Sequence, residues 1–141
     1  MLIRDYHDSD QSDVIHLWER CGLTRPWNDP SLDIRRKLDG QPNWLLVGIL
    51  NDRLVASVMV GYEGHRGWIN YLAVDPDHQR SGFGRALMVE SERRLREQRC
   101  PKINLQIRKD NLDAIRFYES VGYSQDEVVS LGKRLTPDSP Q

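Results

Sequence analysis

Surplus charge of either sign is missing from this chain: 20 Lys and Arg face 21 Asp and Glu, a formal net charge of −1 over 141 residues. Coating nucleic acid needs an excess of cations to displace counterions from phosphates, so no nucleic-acid partner is expected. Long apolar runs are missing too. The longest, Trp44 to Leu50 (WLLVGIL), is far short of the ~20 residues that span a bilayer and suits a buried strand. The opening MLIRDYHDSD is charged early and has no signal-peptide core, so a cytoplasmic protein with no membrane partner is expected. Cysteine is scarce: Cys21 and Cys100 form no CxxC pair, and nothing in the sequence supports a disulfide between them. Together with His7, His16, His65 and His78 they show no metal-ligand spacing, so no metal is expected. No GxSxG offers a hydrolase nucleophile, and no GKS or GKT closes a P-loop.

What is present reads as one α/β domain over residues 1–135, followed by a polar, proline-rich tail at 136–141 that is expected to fray. Leu2 to Tyr6 suits a first strand. Asp8 and Gln11 have capping-box spacing before Val14, Leu17, Trp18 and Cys21, which recur at helical intervals up to Gly22. A loop, Arg25 to Pro30, leads to a second helix around Ile34 to Leu38. Strands Trp44–Leu50 and Val55–Tyr62 flank the hairpin turn Asn51-Asp52-Arg53, and Gly64–Gly67 turns the chain into Trp68–Val74. Leu87, Met88, Ser91 and Leu95 share one helical face, with a charged, solvated face opposite. Ile103, Leu105 and Ile107 alternate as a strand does. Asn111 caps a helix bearing Ala114, Phe117, Tyr118 and Val121, and one or two closing strands are expected from Tyr123 to Leu131. The sum is a mixed sheet with helices.

The most informative stretch is Gln79-Arg80-Ser81-Gly82-Phe83-Gly84-Arg85, between a strand and a helix. Amides in a helix's first turn have no internal partners, and the macrodipole adds about half a positive charge there. Glycine gives close access to the main chain and allows positive φ, while Arg80 and Arg85 add cations at the flanks. A phosphate-type anion suits such a place. The Rossmann fingerprint does not fit, because its third glycine is Leu87 here.

Gln79-x-x-Gly82-x-Gly84, preceded by Tyr71-Leu72-Ala73-Val74-Asp75-Pro76, resembles the signature of the GNAT family of N-acetyltransferases. The downstream run Asn111-Leu112-Asp113-Ala114-Ile115-Arg116-Phe117-Tyr118-Glu119-Ser120-Val121-Gly122-Tyr123 is similar to that family's second signature. The TRPWNDP stretch and the Leu131–Leu135 ending resemble a small bacterial subgroup of the family. The resemblance spans nearly the whole chain and is least diagnostic over residues 20–40. It implies a mixed, mostly antiparallel sheet flanked by about four helices and splayed between strands 4 and 5, with acetyl-CoA as cosubstrate in the splay.

Carried over by residue, the resemblance implies that the backbone amides from Arg80 to Arg85 meet the cofactor diphosphate, with Gln79 beside them on the cofactor side. The main chain of Leu72 and Val74, with Ala73 between them, would pair with the pantetheine arm; Asn111 would hydrogen-bond that arm and Ala114 would border it. Tyr118 matches the general acid that protonates the departing thiolate, and Phe117 reads as packing. Relatives that acetylate a ribosomal protein's N-terminus use a glutamate as base where this chain has Gln106, which cannot accept a proton. Glu63 is the substitute base, acting directly or through water. Trp27, Asn28, Asp29, Glu63 and His65 are expected to gather where the amine acceptor enters. Two functions follow: direct acetyl transfer from acetyl-CoA to a primary amine, or a non-catalytic acyl-CoA sensor. Oligomeric state stays open, a homodimer included.

Overall fold

The computed structural model describes residues 1–40 and 44–138. Five strands form one sheet in the order of the chain: β1 (Leu2–Asp5), β2 (Leu45–Leu50), β3 (Arg53–Tyr62), β4 (Gly67–Val74) and β5 (Ile103–Leu105). The first three pairings are antiparallel and β4–β5 is parallel. The β2–β3 turn places Asn51 (φ 50°) and Asp52 (φ 63°) in the left-handed region that a two-residue hairpin demands, the one region where Asn and Asp outdo other side chains.

Four helices cover the sheet: α1 (Gln11–Arg20), α2 (Pro30–Gly40), α3 (Phe83–Glu97) and α4 (Leu112–Ser120). The cap of the first differs from the sequence expectation. Asp10, not Asp8 with Gln11, closes this end: its carboxylate accepts the His7 N–H at 2.8 Å and two bonds from the Arg4 guanidinium at 2.8 and 3.0 Å. The Arg4 bonds hold the Asp10 carboxyl below its ordinary range. For α2, Pro30 occupies the first helical position, where its missing N–H costs nothing, and Asp29 Oδ1 accepts from Ser31 N at 2.9 Å.

The core has two halves, one on each face of the sheet. Val14, Leu17, Trp18 and Ile34 of α1 and α2 pack with Leu45, Val47 and Ala73. On the other face Leu87, Met88 and Leu95 of α3 pack with Leu46, Val58, Val60 and Ile69. Leu87, Met88, Ser91 and Leu95 are the buried residues of α3, as the helical periodicity predicts.

The strands expected after Tyr123 are not formed. Residues 123–138 join no ladder, and Val128, Val129 and Leu131 are 77–91% exposed. After the Tyr123 N–H bond to the Tyr118 carbonyl at 3.0 Å, side chains tether the segment: Asn104 and Lys102 donate to Asp126, each at 2.8 Å, and Gln106 donates to Ser130 Oγ at 2.6 Å. β5 stops at Leu105, short of the expected Ile107, and so small an edge offers few ladder bonds against an ordering cost of about 1–2 kcal/mol per residue. Part of the proposed tail, 139–141, lies outside the described residues. Among those described, no helix is long and apolar enough to cross a membrane.

Candidate active site

The cleft starts where two parallel strands part. β5 pairs with β4 only at Gly67, Trp68 and Ile69, whereas β4 runs on to Val74. The edge of β4 past Ile69 is thereby opened. Asp75 N–H bonds Val55 O on β3 at 2.8 Å, so the alternation of an antiparallel ladder turns the main-chain groups of Val74 and Leu72 away from β3 and towards the opening. The Val74 carbonyl accepts there from Gln79 Nε2 at 3.3 Å and the Cys21 thiol at 3.2 Å. Gln79 thus ties the loop to the strand end. Ala73, 3% exposed, points into the α1 face of the core.

β4 carries a feature that sequence reading missed. Ser57 faces Ala73 and Met59 faces Asn70, so Val58 of β3 stands opposite two residues, Tyr71 and Leu72. This is a β-bulge, and Tyr71 sits in it at φ 51°. Left-handed backbone costs a non-glycine residue about 1–2 kcal/mol, so the surroundings must hold it. Strict alternation would put Ile69 and Tyr71 on one face, yet Ile69 packs under α3 and Tyr71 under α1. The Tyr71 ring stacks on Trp18 at 3.8 Å, and its hydroxyl donates to Asp33 at 2.6 Å. Burial and that carboxylate together push the phenol well above its ordinary range. No spacing rule signals the bulge, because the alternation breaks within a stretch that is apolar on both sides.

The loop after β4 prepares the entrance to α3. Arg80 (φ 63°) and Gly82 (φ 82°) are left-handed on either side of exposed Ser81, and Gly82 is the residue before the first turn. A Cβ on Gly82 would meet nothing within 4 Å, so its freedom serves the backbone and leaves open space above. Gly84 has another reason. A Cβ there would come within 3.1 Å of the Phe117 ring and 3.7 Å of Val74, so Gly84 lets α3, α4 and β4 close together. Phe83 ring-stacks with His78 at 6.3 Å. Arg85 reaches the Ser120 carbonyl at 3.4 Å, tying the start of α3 to the end of α4.

Asn111 caps α4 by accepting from Ala114 N at 3.2 Å, which leaves its amide donors outward. Tyr118 is half-buried between Phe117 and Tyr123, in edge contacts at 5.1 and 5.8 Å. Its hydroxyl has no hydrogen-bond partner among the described residues, and burial alone raises it above the ordinary phenol range. A phenol so placed stays protonated at neutral pH and has its proton free to give.

Glu63 is not brought together with these groups. It closes the β3–β4 turn, accepting from His65 N at 2.8 Å, from Arg66 N, and from Trp68 Nε1 at 2.7 Å. Those donors, Arg66 N first, hold it below the usual carboxylate range. The turn lies at the paired end of β4, five residues and roughly 17 Å from Leu72 at strand rise. The other residues expected on the acceptor side have partners of their own. Trp27 lies under the Arg108 guanidinium at 5.7 Å, Asn28 takes a bond from Arg134, and Asp29 caps α2. A cavity of about 920 Å³ lies beyond β5, between Ile103, Leu105, Tyr123 and Val129. It shares Tyr118 with the site but none of Leu72–Val74 or Gln79–Arg85, and it marks the space that unformed strands leave.

A mixed sheet split between β4 and β5, with a left-handed glycine loop feeding a helix beside the split, defines an acetyltransferase fold. Known structures agree: the apo aminoglycoside 6'-N-acetyltransferase AAC(6')-IG of Acinetobacter haemolyticus superposes with a TM-score of 0.76 at 16% identity, over 96% of this chain and all of that one. The ribosomal-protein-S18-alanine N-acetyltransferase of Escherichia coli gives 0.72 at 24%, over 89% and 78%. At sequence level, an acetyltransferase of Yersinia pestis is 46% identical over 138 residues, 98% of both chains. The model of the acetyltransferase (GNAT) family matches residues 10–123, and the chain belongs to that family.

Proposed function

We propose that the protein transfers an acetyl group directly from acetyl-CoA to a primary amine, as a cytoplasmic enzyme working without a metal. The observation that carries this reading is the geometry of β4: two main-chain positions face an opened edge that leads straight to an uncapped helix entrance. The diphosphate binds amides from Arg80 to Arg85, the pantetheine arm pairs with Leu72 and Val74 as an added strand, and Asn111 donates to it. Ser81 and Phe83 line the cradle, and Ala114 borders the arm. The amine nitrogen attacks the thioester carbon, whose oxygen is polarised by a β4 amide. As the C–S bond breaks, the Tyr118 hydroxyl gives its proton to the sulfur, so the products are the amide and free CoA thiol. Tyr118 then recovers a proton from solvent.

In this reading Glu63 remains the clamp of its turn, and the attacking amine sheds its proton to solvent. An α-amine with pKa of about 7.7–8.0 is neutral in on the order of a tenth of molecules at pH 7, against about one in 2,500 for a lysine-type amine near 10.4. Acceptors with weakly basic amines are therefore favoured. The test is release of free thiol from acetyl-CoA across amines and peptides graded by basicity. Turnover that falls as the acceptor becomes more basic supports the scheme. Tight binding with no thiol from any acceptor would make the protein an acyl-CoA sensor, and rapid turnover of strongly basic amines at pH 7 would return the base to a side chain such as Glu63.

A further inference from the structure

The bulge in β4 is held from beneath by a chain of two hydrogen bonds, the first buried and the second partly so. Trp18 and Ser57 are both 0% exposed. The Trp18 indole N–H donates to Ser57 Oγ at 2.9 Å, and the Ser57 hydroxyl donates to the Tyr71 carbonyl at 3.3 Å. A bulged residue has a carbonyl that the neighbouring ladder does not take up in the ordinary way, and here a side chain supplies the missing donor. The same Trp18 ring lies flat against Tyr71, with 10° between the planes. One tryptophan therefore holds the ring of Tyr71 through its face and the carbonyl of Tyr71 through its edge, with Ser57 as intermediary.

The arrangement has directional content. Trp18 has one N–H and no acceptor, so it fixes Ser57 as the acceptor in the first bond. The serine hydroxyl has one proton, and with its oxygen engaged by the indole that proton is sent to Tyr71 O. The carbonyl of Tyr71 belongs to the same peptide unit as the N–H of Leu72. Peptide planarity makes these two groups antiparallel, so pinning the carbonyl towards β3 sends the Leu72 N–H towards the opened edge. A phenylalanine at 18 keeps the stack and loses the polarity. An alanine at 57 leaves an indole N–H buried with no acceptor.

We propose that Ser57 and Trp18 are positioning residues: by anchoring the Tyr71 carbonyl they aim the Leu72 amide at the thioester. The catalytic half of this statement rests on the acetyl-transfer reading above, while the structural half stands without it. Two readouts keep them apart. The first uses the ligand-free protein: amide hydrogen exchange and amide chemical shifts of Tyr71, Leu72 and Ala73 by NMR. In Ser57→Ala, exchange at Ala73, whose N–H faces β3 in the ladder, should quicken at least tenfold and the Leu72 amide shift should move, while amides of the α3 core, such as Leu87 and Met88, keep their protection. The second is steady-state turnover with saturating acetyl-CoA. Ser57→Ala should lose at least tenfold in kcat, with the affinity for CoA itself changed less than threefold, because the diphosphate cradle is untouched.

The double variant Trp18→Phe with Ser57→Ala separates aiming from stability. It removes the orphaned indole donor, so unfolding by urea should show stability regained relative to Ser57→Ala alone, while kcat stays low. Recovery of kcat in step with stability would overturn the proposal, leaving the pair a purely structural link. An unmoved Leu72 amide shift together with unchanged exchange at Ala73 in Ser57→Ala would overturn it whatever the kinetics. If the wild-type protein turns over no amine at all, the acetyl-transfer reading falls, and the exchange experiment alone decides whether the two residues anchor the bulge.

Discussion

Replacing Gly82 with valine separates the anion cradle from the fold around it. At φ 82° the position is open only to glycine without strain, and a Cβ there meets nothing within 4 Å, so the whole penalty is conformational. A side-chain-bearing residue in left-handed backbone costs about 1–2 kcal/mol, somewhat more if β-branched. Set against a domain stability of about 5–15 kcal/mol the fold survives, with a melting temperature lower by roughly 3–10 °C. Relief of that strain rotates the loop and withdraws the first-turn amides. Two charge-assisted hydrogen bonds to a diphosphate, at about 1.5–3 kcal/mol each, amount to roughly 3–6 kcal/mol, or two to four decades in affinity. Calorimetry should compare acetyl-CoA with S-acetylpantetheine, which lacks the diphosphate. Acetyl-CoA should weaken at least a hundredfold in Gly82→Val and S-acetylpantetheine hardly at all. An affinity for acetyl-CoA within threefold of wild type, in protein shown folded by circular dichroism, refutes the cradle. Equal weakening of both ligands would move the damage to the strand edge instead.

Tyr118→Phe should lower turnover about 10²–10⁴-fold while acetyl-CoA affinity stays within a few-fold, and single-turnover rates equal to wild type would remove the phenol from the acid role. Because burial raises the Tyr118 pKa above the ordinary 10, turnover should climb with pH as the amine deprotonates and show no falling limb from this group up to pH 10; a descending limb near pH 8, absent in the phenylalanine variant, would contradict that. Gly84→Val should destabilise by about 1–3 kcal/mol through overlap with the Phe117 ring 3.1 Å away, with Phe117→Leu in the same chain restoring part of it in urea melts. Asp10→Asn should cost about 1–2 kcal/mol at pH 7 by breaking the Arg4 pair. Since Asp10 titrates below its ordinary 3.8 when folded, its contribution is complete above that pH and drains away as pH falls through the folded value. The wild-type-to-variant gap should therefore shrink in acid, and a constant gap from pH 7 to about 2 would count against it.

Much of the molecule is written in local pattern. The 3.6-residue recurrence of Leu87, Met88, Ser91 and Leu95, the hairpin turn at Asn51-Asp52 and the Asn111 cap each involve residues within a few positions of one another; all are found, the turn one residue shorter than read because Arg53 joins β3. The glycine loop was legible for the same reason: left-handed backbone at Gly82 is a local demand. Gly84 shows where local reading stops. Its value lies in the Phe117 ring, thirty-three positions away, which no helical period reveals.

Tertiary structure alone decided the rest. That Glu63 clamps the β3–β4 turn depended on Trp68, His65 and Arg66 being folded back onto it, and which end of β4 opens is set by where β5 lets go at Ile69. The closing strands failed although Val128, Val129 and Leu131 have strand chemistry, because a strand exists only against an edge long enough to receive it. The Tyr71 bulge arises from Trp18, Ser57 and Asp33, brought from three separate elements. Sequence sets what each residue can donate, accept or bury; folding chooses which partner, distant along the chain, it does so with, because hydrogen bonds and packing act through space over a few ångströms.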